Sequence, residues 1–162
     1  MNQIDPILEL LQQNARMSNA DIAVQLKLTE EEVAAKIAAW EADGTILGHH
    51  TILDPDKAGG EEVTALIEVR LRPERGGGFD RIAQRISKFD QVRSCWLISG
   101  GYDLSVVVDG TDLREVAQFV SEKLSTLDGV LSTATHFYLK AYKQAGFLSR
   151  FEPSDARLPV TP

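Results

Sequence analysis

Apolar positions recur at helical spacing through the first fifty residues, and with a period of two through much of the remaining chain. Asp5-Pro6 opens a first helix: the aspartate caps, and the proline takes the first helical position, where a missing N–H costs nothing. Ile4, Ile7, Leu8 and Leu11 mark its inner face. Ser18 opens a second helix with Asp21 three residues on, and Ile22, Ala23 and Leu26 face inward. A third runs through LTEEEVAAKIAAWEADG (Leu28–Gly44). Thr29 caps it, Glu32 completes a capping box, Val33, Ile37 and Trp40 form the stripe, and Gly44 ends it. Two short helices with a tight join make a helix-turn-helix, whose second helix enters DNA. Thr45–Leu53 alternates loosely and predicts a wing hairpin or a strand.

DPDKAGG (Asp54–Gly60) is turn chemistry without periodicity and predicts a linker. Beyond it, Val63, Ala65, Ile67, Val69 and Leu71 share one face of a strand over Val63–Pro73. ERGGG (Glu74–Gly78) predicts a loop, and Phe79, Ile82, Ala83, Ile86 and Phe89 mark a helix. VRSCWLIS (Val92–Ser99) predicts a strand, Gly100-Gly101 a turn, and YDLSVVVDG (Tyr102–Gly110) another strand. Thr111 can cap a helix with the stripe Leu113, Ala117, Val120, Leu124 and Leu127; GVLSTATHFYLK (Gly129–Lys140) is a last strand. The order β-α-β-β-α-β is the ferredoxin-like arrangement, with helices on one face of the sheet. Leu66 lies opposite Val63 and Ile67, and Trp96 and Leu97 fall on the two alternations of their strand. An open sheet face this apolar predicts a second subunit over it. The tail after Lys140, ending PSDARLPVTP, has weak pattern and is expected to be irregular or an interface arm.

The expected fold class is therefore α+β. A winged helix-turn-helix spans 1–53, a linker 54–61, a ferredoxin-like domain 62–142 and a tail 143–162. Composition changes this picture at two points. No apolar run approaches the roughly 20 residues that span a bilayer. The N-terminus has no basic region followed by an apolar one, and Cys95 is the only cysteine, so a cytoplasmic protein without disulfide or metal is expected. The second point is charge. The net charge is −7, and residues 1–60 hold ten acids against four bases, so −6 of it sits in the half that should meet DNA.

Three stretches carry a family resemblance: ILELLQQNARMSNADIAVQLKLTEEEV, GTILGHHTILDPDKAGG, and SGGYDL with STATHFYLK. In order and spacing they resemble the Lrp/AsnC (leucine-responsive, feast/famine) transcription regulators, up to about Phe147. The resemblance implies a DNA-binding regulator that senses a small metabolite, most simply an amino acid. It implies a homodimer formed through sheet contacts that assembles into an octamer, with effector held between dimers near Gly100–Asp103. It implies no enzyme activity and no cofactor. Members usually begin the recognition helix with Ser-Pro-Ser-Pro and continue with several Arg or Lys. Here those slots hold Thr29, Glu30, Glu31 and Glu32, then Ala34, Ala35 and Lys36, with Ala38 and Ala39 beyond.

The candidate DNA contacts are Thr29, Glu31, Ala34, Lys36, Lys27, His49 and His50. The glutamates serve a helix start through the dipole, or read cytosine N4, or mark a helix that has lost DNA. The two histidines are surface residues or phosphate contacts from the wing. The candidate effector contacts are Ser99, Gly100, Gly101, Tyr102, Asp103, Thr133 and Thr135. The glycines are a hairpin turn that can also offer backbone N–H groups to a carboxylate, Asp103 an ammonium partner, and Tyr102 a wall. The threonines are strand filler or pocket hydroxyls. Two alternatives stand beside the regulator: an effector-binding oligomer with weak or lost DNA binding that acts through protein partners, and a sirohaem-decarboxylase-like enzyme built on the same architecture.

Overall fold

A computed structural model describes residues 4–59, 62–73 and 79–149. The chain divides into two compact units, Met1–Ile52 and Leu53–Pro162.

The first unit holds α1 (Pro6–Gln13), α2 (Asn19–Leu26) and α3 (Glu30–Asp43). Each start is fixed by a side chain that accepts an otherwise unpaired N–H. Asp5 accepts from Ile7 at 2.9 Å, Ser18 from Asp21 at 3.1 Å and Thr29 from Glu32 at 3.2 Å. Glu32 returns the bond to the Thr29 N–H at 2.8 Å, closing the expected capping box. Lys27 ends α2 at φ 56°, and Gly44 ends α3 at φ 80°, the left-handed conformation that favours glycine. Ile7, Ile22, Ala23 and Val33 form the core, with Leu10, Leu11, Met17, Leu26, Leu28, Ile37 and Trp40 packed around them. The α1 stripe thus runs through Ile7, Leu10 and Leu11; Ile4, before the cap, is exposed. Thr45–Leu53 forms no strand, so the expected wing hairpin is absent here. Only Ile46 and Ile52 of that stretch are half-buried. The Ile46 N–H bonds the Trp40 carbonyl at 2.9 Å, while Leu47 is 96% exposed.

In the second unit the expected linker contains a helical turn, α4 (Pro55–Ala58), closed by the Lys57 and Ala58 N–H groups on the Asp54 carbonyl. Then come β1 (Val63–Leu71), α5 (Asp80–Ile86), β2 (Val92–Leu97), β3 (Leu104–Gly110), α6 (Leu113–Gln118) and β4 (Val130–Phe137). The antiparallel sheet has the order β2-β3-β1-β4, the ferredoxin-like topology. Ala65, Ile67, Val69 and Leu71 of β1 and Leu104, Val106 and Val108 of β3 face the helices and are buried with Ile82, Ile86, Val116, Phe119, Leu124 and Leu127.

The last helix departs from its sequence pattern. Asp112, not Thr111, is the cap, accepting the Glu115 N–H at 2.8 Å; Thr111 instead donates its N–H and hydroxyl to the Glu115 carboxylate. After Gln118 the chain widens into π-helical turns over Phe119–Leu124. A π turn bonds residues five apart. Phe119 and Leu124, five apart, therefore both reach the core, and Val116 replaces Leu113 and Ala117, which stay exposed. Gly110 lets this helix approach the sheet, because a Cβ there would lie 2.9 Å from Val116 Cγ2. The tail is not wholly irregular: β5 (Lys143–Gln144) and β6 (Phe147–Leu148) make a short hairpin. The expected loop at 74–78 and the tail from 150 onward lie outside the described residues.

Candidate DNA-binding and effector surfaces

Thr29, Glu31, Ala34 and Lys36 occupy the first two turns of α3, with Lys27 just before it. Their chemistry is unequal. Thr29 is consumed by the cap, its hydroxyl and N–H both on Glu32 Oε2. The Thr29 N–H holds the Glu32 carboxyl below its ordinary value. Glu31 is exposed, and Ala34 is half-buried at the edge of the core. Lys36 is not free for phosphate: its Nζ lies 2.9 Å from Asp5 Oδ2 and 5.9 Å from the Trp40 ring centroid. The Lys36 ammonium, and after it the Ile7 N–H, holds the Asp5 carboxyl below its ordinary value. One aspartate thus caps α1 and occupies the one cation on α3. Helical spacing cannot reveal that ion pair, because its partners are 31 residues apart. His49 and His50 lie in the irregular, exposed segment after α3, without a ladder to hold them as a wing.

In the second unit Ser99–Asp103 joins β2 to β3. A Cβ placed on Gly100 or Gly101 would meet nothing within 4 Å, so no packing demands these glycines and the backbone stands open. Asp103 clasps the loop to the end of β1. Its Oδ2 accepts the Leu71 N–H at 2.7 Å, its own N–H donates to the Val69 carbonyl, and its carbonyl accepts from Ile98. Tyr102 is half-buried beside it. Thr133 and Thr135 pair with Val69 and Ile67, so they point to the helix-covered face. Thr133 Oγ1 is 3.2 Å from Ser125 Oγ, just beyond the π-helical turns. Val69 also pairs with Leu104, which sets Thr133 two strand spacings, about 10 Å, from the start of β3.

Two cavities among the described residues are lined by none of these side chains. The larger, about 300 Å³, lies at the other end of β3 among Glu62, Asp90, Gln91, Asp109, Gly110, Thr111 and Glu115. Two of its four carboxylates are engaged: Glu115 by Thr111, and Asp109 by Thr64 at 2.7 Å and Arg93 at 3.7 Å. Among the described residues no group of three or more His, Cys, Asp or Glu could hold a metal ion. Among the same residues no helix is long and apolar enough to cross a membrane. Burial pushes the Cys95 thiol above its ordinary value, the opposite of what a nucleophile requires.

The open sheet face carries Leu66 and Val107, Trp96 at 66% exposure and Ala134, with Glu68 and His136 paired across it at 3.3 Å. Strand alternation alone places Leu66 and Trp96 there. Leu97 falls on the helix side and is still 57% exposed, because β2 is the edge strand.

A capped helix-turn-helix in one unit and an α+β unit with an antiparallel sheet in the other define a DNA-binding transcription regulator with a ligand-binding domain. The model of the AsnC-type helix-turn-helix domain matches residues 6–40, and that of the Lrp/AsnC ligand binding domain matches residues 64–147. The chain belongs to the Lrp/AsnC family of transcription regulators. It is 45% identical to the HTH-type transcriptional regulator YugG of Bacillus subtilis, over 96% of this chain and 95% of that one. It is 33% identical to the proline dehydrogenase transcriptional activator of Rhodobacter capsulatus, over 83% and 87%. In fold it is similar to a transcriptional regulator of Neisseria meningitidis solved as an L-Met complex, with a TM-score of 0.65, 24% identity and coverage of 88% and 94%.

Proposed function

We propose that this regulator senses an amino acid at Ser99–Asp103 and binds DNA sequence-specifically as part of a homo-oligomer. The observation that carries the effector assignment is the unpacked Gly100-Gly101 backbone next to the Asp103 carboxylate. Exposed N–H groups suit a carboxylate, and a carboxylate suits an ammonium. Asp103 Oδ2 is committed to the Leu71 N–H, which leaves Oδ1 as the ammonium acceptor. Thr133 and Thr135, on the helix-covered face two strands away, are the hydroxyls assigned to the same site. The L-Met bound to the Neisseria regulator supports the ligand class. In this reading a second subunit completes the pocket around the loop. The open Leu66–Val107–Trp96 face supports sheet-to-sheet dimerisation, with further assembly to an octamer. Of the residues expected to contact DNA, Glu31, Lys27, His49 and His50 are exposed and free of the cap, Lys36 is held by Asp5, and Thr29 is taken by Glu32.

Calorimetry of the full chain against the twenty amino acids tests the effector site. Binding of one or a few of them, weakened by Asp103→Asn in a folded protein, is the expected result. Asparagine keeps an acceptor for the Leu71 N–H and removes the charge, so unchanged affinity contradicts the assignment.

A second reading has its own observation. The face of α3 is acidic and its one cation is paired, which favours an effector-binding oligomer with weak DNA contact, acting through protein partners. A gel shift with the gene's own upstream region at low salt separates the two, since phosphate contacts are strongest there. Absence of any shift at tens of micromolar protein supports the second reading.

A further inference from the structure

We infer that α3 reads thymine methyl groups, with one carboxylate contact to a cytosine amino group, and reads no guanine. The inference deepens the DNA-reading role of α3 and depends on it. The core contacts of α3 are Val33, Ile37 and Trp40. At 3.6 residues per turn, the positions turned furthest from them are Glu31, Ala35, Ala38 and Ala42. All four are exposed, as is Ala39 beside them.

Guanine is recognised in the major groove by arginine or lysine on O6 and N7, and adenine by asparagine or glutamine on N6 and N7. The helix EEEVAAKIAAWEAD contains no arginine, asparagine or glutamine. Its lysine sits on the core-side flank, held at 2.9 Å by Asp5 and lying over Trp40. The Thr29 hydroxyl and the Glu32 carboxylate are closed on each other. The two side-chain donors Thr29 and Lys36 are thereby engaged, and Lys27 lies outside the helix, at the C-cap of α2. What the outer face presents is a line of methyl groups led by the Glu31 carboxylate in the first turn, where helix-turn-helix proteins meet base edges, while Glu30, also exposed, lies on the flank toward Val33 and Ile37. Methyl groups contact the thymine C5-methyl, and a carboxylate accepts from cytosine N4.

The experiment selects duplexes from a random pool with the full chain at low salt, then probes the enriched duplex base by base. Replacing thymine by deoxyuridine, which removes only the methyl, weakens binding several-fold at two or more positions. Replacing guanine by 7-deazaguanine leaves binding unchanged. Glu31→Ala abolishes the cytosine preference at one position and leaves the deoxyuridine effect intact. Sensitivity to 7-deazaguanine with indifference to deoxyuridine overturns the inference while leaving α3 as the reading helix. Failure to enrich any duplex overturns both.

Discussion

Asp5 and Lys36 show how one residue can set an affinity. A lysine 2.9 Å from a carboxylate must give up that partner to hold a phosphate. Asp5→Asn keeps an equally good cap for α1 and releases Lys36. The expected result is tighter DNA binding with a steeper salt dependence, by about 0.9 in log–log slope for one added phosphate contact. A salt titration of the two proteins checks it. The same carboxylate belongs to a group that titrates. Asp5 is held low by Lys36, Glu32 by the Thr29 N–H and Glu115 by the Thr111 N–H. Each binds its proton more weakly when folded, so the unfolded chain takes up more protons in acid. Their stabilisation is complete above the ordinary values, 3.8 for aspartate and 4.5 for glutamate, and is lost as pH falls through the lower folded values. Thermal melts between about pH 6 and about pH 3 are expected to show a midpoint falling only in the acid half. Local partners are legible in the sequence: Thr29 with Glu32 and Ser18 with Asp21 lie three residues apart. Asp103 with Leu71 and Lys36 with Asp5 are not, because side-chain periodicity carries no information about contacts more than 30 residues away.

At the scale of the element, patterning works where the helix or strand is regular. The α3 stripe and the alternation of β1 and β3 match the sequence because 3.6 and 2 are the periods those structures impose. The last helix escapes its pattern because a π turn changes the period, exchanging Leu113 and Ala117 for Val116 and Phe119. The wing expected over Thr45–Leu53 fails for another reason: loose alternation shows only that a strand is permitted, and a strand needs a ladder partner, which none of the described residues provides there. The tight approach of helix to sheet at Gly110 yields a prediction. Gly110→Ala puts a methyl 2.9 Å from Val116 Cγ2. It is expected to cost about 1–3 kcal/mol as overpacking, measured by denaturant unfolding. Thr29→Ala removes the cap of α3 and should cost about 1 kcal/mol, with the loss confined to the helix-turn-helix unit.

At the scale of the molecule, an open sheet face with an exposed tryptophan predicts association. Trp96→Glu places a charge on that face and is expected to shift the chain from oligomer toward monomer in sedimentation, with the far-ultraviolet spectrum retained. The family and the two-domain plan are legible because they rest on the order of several local patterns. The proposed effector site is legible only as a loop. Its open glycines and clasped aspartate are visible in one chain, whereas the walls proposed around them come from another. We propose that an amino acid at Ser99–Asp103 changes how the helix-turn-helix engages DNA. The most direct measurement is a footprint of the full chain on its own upstream region at low salt, with and without the amino acid identified by calorimetry. The expected result is a protected region whose extent or midpoint concentration changes with the amino acid in the native chain and not in Asp103→Asn. A footprint that is absent, or identical at saturating amino acid, would contradict it.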